Sequence, residues 1–438
     1  MSSAATRSPF VESQLAAPAS PLPGAGVPWL DAARREHLAA FAEAGLPTKH
    51  VEAWKYTALR ALAQRKFSTG DAQAAARAID ASAFALPGVD GPVLAFVNGV
   101  FRADLSQLAQ LPDGLELRPM SQALREDPEP LRFTLSRYEP EKGDVFVRLN
   151  AALAGDGVLL KVVAGAKVAA PVHLLFIGAP AEGDVAWHLR HVIELGEGSE
   201  LSLVEHHAAS GDQRHLGTTC TDIVLREGAV LHHAAFQDAA PGAALIRRTK
   251  LHLGARSHAT VHVVELGAAL ARHDLQAELV GNEARFDTRG VFLLHAKQHG
   301  DTQLAIRQQA LNTTTDSVWR GVADERARGV FRGAVLVEPG ADGSDCNVQN
   351  KNLLLSEQAE IDTKPELVIY ADEVKAVHGA TVGQLDERAL FYLQSRGIPQ
   401  AQARGVLTAA FCRTVLDDLP NAELRAYLGD RLVAQLPA

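Results

Sequence analysis

Three cysteines are all that the 438 residues contain, and Cys220, Cys346 and Cys412 are too far apart to form a CxxC pair. This excludes a disulfide framework and a thiolate-only metal or cluster site within one chain. It leaves isolated thiols in a reducing compartment. Aromatic residues amount to 5%, so the core has to be built from Leu, Val, Ile and Ala. Basic residues are outnumbered, for a net charge of −9, which argues against a nucleic-acid binder that relies on phosphate neutralisation. No run of like charge suggests a tail for membranes or nucleic acid. No stretch approaches the roughly 18 apolar residues of a membrane span. Residues 1–26 are rich in Ala, Ser and Pro and lack the continuous apolar segment of a signal peptide. The expected location is the cytoplasm.

Several catalytic signatures are missing as well. There is no GxxxxGK[ST] loop to cradle ATP phosphates, no GxSxG elbow, no HExxH and no GxGxxG in a strand–helix context. Acidic residues are plentiful, yet no pair is spaced to serve as general acid and base. The chain reads as a protein without catalytic machinery of its own.

What is present is a change of texture along the chain. Residues 1–26 read as a flexible lead-in, interrupted by Pro18, Pro21 and Pro23. Residues 27–144 form a helical or mixed region. There Trp29, Leu30, Ala33, Leu38, Phe41 and Ala42 fall near one helix face, and Gly45-Leu46-Pro47-Thr48 stops the pattern. A strand over 93–97 turns at Asn98-Gly99 and returns through Val100-Phe101.

From about 145 to 375, short Val/Leu-rich runs recur between Gly breaks. Leu195, Leu225, Leu253 and Leu279 open four such breaks, at intervals of 30, 28 and 26 residues. The strands alternate. Arg248, Lys250 and His252 share one face, and Thr249, Leu251 and Leu253 the other. Stacked coils of parallel strands account for the alternation, the regular breaks and the missing crossover helices together. An antiparallel sandwich is the competing arrangement. Residues 376–438 turn helical. Asp386 is placed to cap one helix and Gly397 to end it, Pro399 fits the first turn of a second, and Asn421 is placed to cap a third.

Of the 17 histidines, 14 lie between His173 and His299. His206-His207 and His232-His233 are adjacent pairs whose members point to opposite strand faces, so neither pair chelates one metal. The simplest reading is a solvated sheet face with neutral imidazoles. His378 is placed differently. It follows the last strand pattern, Leu367 to Tyr370, in a loop-like Gly/Ala/Thr segment that keeps its ring reachable.

The run from Val377 to Ile398, with His378-Gly379-Ala380-Thr381-Val382-Gly383 at its head, resembles the C-terminal signature of the SufB/SufD family of iron–sulfur cluster assembly proteins. Further similarity lies in Gly45-Leu46-Pro47-Thr48 with Glu52, Trp54, Lys55, Tyr56 and Thr57. It continues in Leu149-Asn150-Ala151-Ala152-Leu153, Asp156-Gly157, His299-x-Asp301, Gly329-Val330-Phe331-Arg332-Gly333 and Asn352-Leu353-Leu354-Leu355-Ser356. The resemblance implies a mainly β protein, a right-handed parallel β-helix flanked by N- and C-terminal α-helical regions. It implies a non-catalytic scaffold that pairs with a SufB paralogue through the β-helix. A SufC-type ABC ATPase docks on the C-terminal helices, where Asp386, Phe391, Tyr392 and Arg396 lie. It also implies an iron–sulfur cluster assembled transiently in the complex rather than held stably by this chain, with His378 as the histidine involved. Many relatives carry Cys two residues before this His, and Ala376 stands there. The alternatives are a β-helical carbohydrate-active enzyme and a homodimeric structural protein. A homodimer of the isolated chain is a further expectation.

Overall fold

In the computed structural model, the residues described are 7–16, 18, 20–69, 75, 77–136 and 144–436. Residues 1–6, 17 and 19 of the expected lead-in lie outside them. Four strands come from the N-terminal region: β1 (Ser68–Thr69), β2 (Val93–Val97), β3 (Val100–Phe101) and β4 (Leu115–Pro119). Sixteen more, in eight coils of two, follow. One sheet holds the first strand of each coil: β5 (Val158–Val162), β7 (Val185–Leu195), β9 (Leu216–Leu225), β11 (Ala244–Leu253), β13 (Leu270–Leu279), β15 (His299–Gln308), β17 (Arg328–Val337) and β19 (Glu360–Ile369). The second sheet holds the others: β6 (Lys167–Gly178), β8 (Glu200–Ala209), β10 (Val230–Gln237), β12 (His258–Glu265), β14 (Arg285–Leu294), β16 (Thr314–Ala323), β18 (Ser344–Leu354) and β20 (Val374–Gly383). Every pairing among these sixteen is parallel, which excludes the sandwich. The fold is a parallel β-solenoid flanked by helices.

The repeat in the sequence is the coil itself. Leu195, Leu225, Leu253 and Leu279 stand in register as one inward column, each almost fully buried. A buried leucine contributes about 1.5–3 kcal/mol, so a stacked column fixes the register strongly. The turns after the first strands of the first seven coils each use a left-handed residue. Gly165, Gly198, Gly228 and Gly343 supply it in some coils, and Arg256, Glu283 and Asn312 in others. The turns are also bonded to one another. Gly198 N–H donates to Glu227 O (2.8 Å), Gly228 to Ala255 (2.8 Å), Arg256 to Asn282 (2.8 Å) and Glu283 to Leu311 (2.9 Å).

The two ends differ. At the first coil, β4 closes the edge of β5 in antiparallel fashion, and β2 with β3 closes the edge of β6. At the last coil, β19 and β20 end their sheets with no strand beyond them among the described residues. The helices Gln400–Arg413 and Ala422–Ala434 cover the outer face of the second sheet. Val415, Leu416, Leu424, Leu428 and Leu432 pack there with Val264, Val291 and Leu293.

Four boundaries differ from expectation. Residues Pro9–Leu15 of the lead-in form a docked helix, because Ser8 caps it and Phe10 and Val11 are buried among Phe41, Phe67 and Phe146. The strand region begins at Val158, since Val145–Leu153 is a helix with Val145, Phe146, Leu149 and Leu153 buried. At the other end it runs to Gly383 rather than 375. Pro399 occupies the cap position of its helix rather than the first turn.

Candidate functional site

His378 lies in β20, the final strand, and not in a loop. The segment Val374–Gly383 looked loop-like because its small residues lack strand propensity, but β18 supplies a parallel template along its length. Register pairs Cys346 with Ala376, Val348 with His378 and Asn350 with Ala380. Cys346 and Val348 belong to the interior core, so Ala376, His378 and Ala380 share the interior-facing side of the last rung. With no later coil above it, the imidazole is exposed at the rim of the solenoid. Around the rim stand Tyr370 (65% exposed) and Val377 (61%), with Val368, Ile369 and Val382 also exposed.

No thiol replaces the one missing at Ala376. Cys346, one strand below, is buried, and burial next to Asp345 pushes its thiol up to about 11. Among the described residues no group of three His, Cys, Asp or Glu is placed to hold a metal ion. Alone, the rim offers one imidazole.

After β20 the chain enters the helix Glu387–Ser395. Asp386 caps it by accepting from Arg388 N–H (2.8 Å), and Gly397 leaves it at φ 86°. No residue of this helix is buried. Phe391 is 71% exposed and Tyr392 56%, so these aromatics do not pack against the solenoid. The Arg396 guanidinium lies 5.0 Å from the centre of the Tyr392 ring. Of the four predicted docking residues, Phe391, Tyr392 and Arg396 form one exposed patch, whereas Asp386 serves its own helix.

The N-terminal motif acts at a distance. Trp54 stacks under the Arg272 guanidinium at 3.9 Å, and Thr57 donates to Asp301 on β15. Glu52 pairs with Lys364 on β19 at 2.6 Å. The motif is a strap across the outer face of the first sheet, ending on the last coil. His299 and Asp301 are its landing points, with His299 Nε2 2.9 Å from Thr57 Oγ1.

The histidine pairs are not a solvated face. His206 faces outward and stacks on Phe236 at 4.9 Å between ring centres, while His207 and His233 face the interior, all three buried. His207 Nε2 lies 2.6 Å from Glu205 Oε1 and His233 Nε2 3.4 Å from Oε2. Arg247 crosses the interior to Glu265, which also accepts from Gln237 (3.2 Å). Burial opposes charge on Glu205, but hydrogen bonds from His207 and His233 hold its carboxyl well below the usual range. Burial pushes Glu265 up against the pull of Arg247. Sequence reading missed this cluster. Its signal was polar residues at strand positions whose neighbours two residues away are Leu or Val.

Fold and site together define a β-solenoid with one closed end, one open end and an exposed helix beside the open one. Residues 176–411 match the family model "SUF system FeS cluster assembly, SufBD core domain", and residues 23–174 match "SufBD protein N-terminal region". The chain belongs to the SufBD family of iron–sulfur cluster assembly proteins. It is 29% identical to the Escherichia coli iron–sulfur cluster assembly protein SufD over 92% of each chain. It is 30% identical to a SufBD family protein of Synechocystis over 87% of this chain and 86% of the relative. To the Bacillus subtilis protein SufB it is 25% identical over 70% of this chain and 66% of that one. No helix among the described residues is long and apolar enough to cross a membrane.

Proposed function

We propose that the chain is a non-catalytic scaffold subunit, of SufD type, whose open end pairs with the open end of a SufB-type solenoid. The observation that carries this reading is the pair of edge strands β19 and β20, each with one edge lacking a strand partner among the described residues, with exposed apolar side chains and with His378 on β20. Unpaired strand edges are templates for pairing, and a natural protein leaves one bare where a partner covers it. The nascent cluster is cargo at that junction. His378 contributes one neutral imidazole, and the partner supplies the remaining ligands. The exposed Phe391, Tyr392 and Arg396 patch docks a SufC-type ABC ATPase, since aromatic and arginine side chains are the usual anchors of an interface. The site of work is the cytoplasm, where Cys220, Cys346 and Cys412 stay reduced.

The test is reconstitution with SufB- and SufC-type partners, comparing wild type with His378→Ala at equal complex yield. The ring is exposed, so the substitution costs about 0.5 kcal/mol or less of stability. Iron and sulfide content should fall while the complex still forms. Equal cluster loading rejects the ligand role, and loss of the complex assigns His378 to pairing instead.

A further inference from the structure

The interior of the solenoid is not uniformly apolar. Each coil from β7/β8 to β19/β20 places at least one polar side chain inside. Outward from the closed end come His191 with Glu205, then Thr221 with His233, then Arg247 with Glu265. His273 with Thr288 follows, then Ser317 with Trp319, and finally Asn350, which accepts a hydrogen bond from Thr363 across the interior at 2.8 Å. Register puts these groups in adjoining columns. His191 stands beside Thr221, Thr221 beside Thr249, and Thr288 beside Ser317. His378 follows at the rim.

Many of these groups find no partner within the protein. His191 Nδ1 accepts from Val158 N–H (3.0 Å), which leaves Nε2 as a donor, and that donor makes no hydrogen bond. Neither do Thr219 Oγ1, Thr221 Oγ1, Thr288 Oγ1, Ser317 Oγ and Trp319 Nε1. All six residues are 2% exposed or less. An isolated buried donor without a partner costs about 1–3 kcal/mol, so six on the interior face of one solenoid call for an occupant. Ordered water is the ordinary occupant of such positions. Neighbouring strands lie about 4.8 Å apart, a spacing that one water spans between successive groups in a column.

The lane is sealed at one end. The Phe176 ring lies 5.0 Å from His191 and 4.9 Å from His207, and it stacks on Phe96 at 5.6 Å. Beyond Phe96 the sheets are closed by β3 and β4. The other end stops at Asn350, one rung below a rim that faces solvent, and at Thr363 on the last coil itself.

We propose that the solenoid interior carries a file of ordered water with a single mouth at the His378 rim, giving the buried Glu205–Glu265 cluster proton exchange with the pairing surface. No covalent step is involved. A proton entering a water at the mouth displaces one along the file, and the reverse path returns it. The link to cluster assembly rests on the reading of the rim given above. A metal bound by imidazole or thiol displaces protons, and a docked partner closes the mouth. The file itself is independent of that reading and is tested on the isolated chain.

The chain has four tryptophans, so 15N-labelled indole groups give a short, assignable set of NMR signals. In a water-filled lane the Trp319 indole N–H exchanges with deuterium at least about a hundredfold faster than the slowest core amides, which open only with the whole fold. Exchange as slow as those amides overturns the proposal. Thr288→Val and Ser317→Ala give an independent sign. In a dry interior they remove unsatisfied hydroxyls and raise Tm, whereas in a hydrated one they disturb bound water and leave Tm unchanged or lower. A rise with both overturns the proposal. Asn350→Leu should slow Trp319 exchange by closing the mouth, and an unchanged rate in folded protein removes the mouth from its assigned place. If the file is present but His378→Ala leaves cluster loading intact, the rim reading fails and the file stands.

Discussion

The first and last coils of the solenoid are built from the same kind of strand and have opposite fates. At the first, antiparallel β4 and the β2–β3 hairpin use up the edges, and Phe96, Phe176, Leu117 and Leu160 fill the interior. At the last, no strand among the described residues pairs with the free edge of β19 or β20, and the interior-facing His378 is in solvent. A stacked fold needs a cap at each end to stop growth and aggregation. Providing one cap and withholding the other marks the bare end as a surface kept for something else. Strand propensity follows the same division, with Val, Leu and Phe at the closed end and Gly, Ala and Thr around His378.

The largest expected effect tests the closed end. Burial pushes His173, His188 and His191, in β6 and β7, down to about 3. In the unfolded chain they titrate near 6.5, so between about 6.5 and 3 the unfolded state binds more protons. Stability is therefore full above 6.5 and falls as pH drops, by about 1.4 kcal/mol per pH unit for each histidine. Thermal melts from pH 7.5 to 5 should show a steep loss, and a flat profile removes the neutral buried histidines from the account. Next, Leu160→Ala at the closed end should cost about 2–5 kcal/mol in denaturant titrations. Val377→Asp at the open end should change the isolated chain by about 0.5 kcal/mol or less yet abolish pairing with a SufB-type partner. Equal destabilisation by the two would erase the contrast.

A smaller change is expected at the helix beside the open end. Phe391→Ala with Tyr392→Ala should weaken binding of the ABC-type ATPase about thirtyfold, or 2 kcal/mol, with Tm preserved. Removing residues 386–438 is a poor test of that contact, because it strips the helices that cover Val264, Val291 and Leu293 and would leave an apolar sheet face bare. The smallest effect belongs between the ends. Glu283→Gly relieves a left-handed turn residue and should raise stability by about 1 kcal/mol or less, read from the same titration.

Much of the solenoid was legible because its inward leucines repeat. The residue in the left-handed turn position changes after the second break. Gly198 and Gly228 announce the left-handed turn position, but Arg256 and Glu283 fill it in the next coils. There the visible Gly254 and Gly281 answer a different need. An added Cβ would lie 2.9 Å from Leu225 O at the first and 2.0 Å from Ala255 N at the second. The Asn98-Gly99 hairpin was legible whole, as Asn98 and Gly99 both take positive φ. The strand holding His378 was not, since its conformation comes from β18 and not from its own residues. The interior His–Glu–Arg cluster was hidden too. Adjacent histidines look alike in sequence, and only the fold shows that His206 faces out and His207 in.

The strap from Glu52 to Thr57 has a consequence for the order in which the molecule is made. Thr57 is separated from Asp301 by 244 residues and Glu52 from Lys364 by 312. At a synthesis rate of about 5–20 residues per second, the landing strands emerge on the order of tens of seconds after the strap. Until then Trp54 lacks its arginine and Thr57 its carboxylate. A growing chain thus carries at its head a tag of incompleteness, visible to any chaperone that binds exposed aromatic side chains. The tag is withdrawn in steps, at Trp54 with β13, at Thr57 with β15 and at Glu52 with β19. Copies that stop short of the last coil should keep Glu52 without its lysine partner, and limited proteolysis near residue 52 should tell them from finished ones.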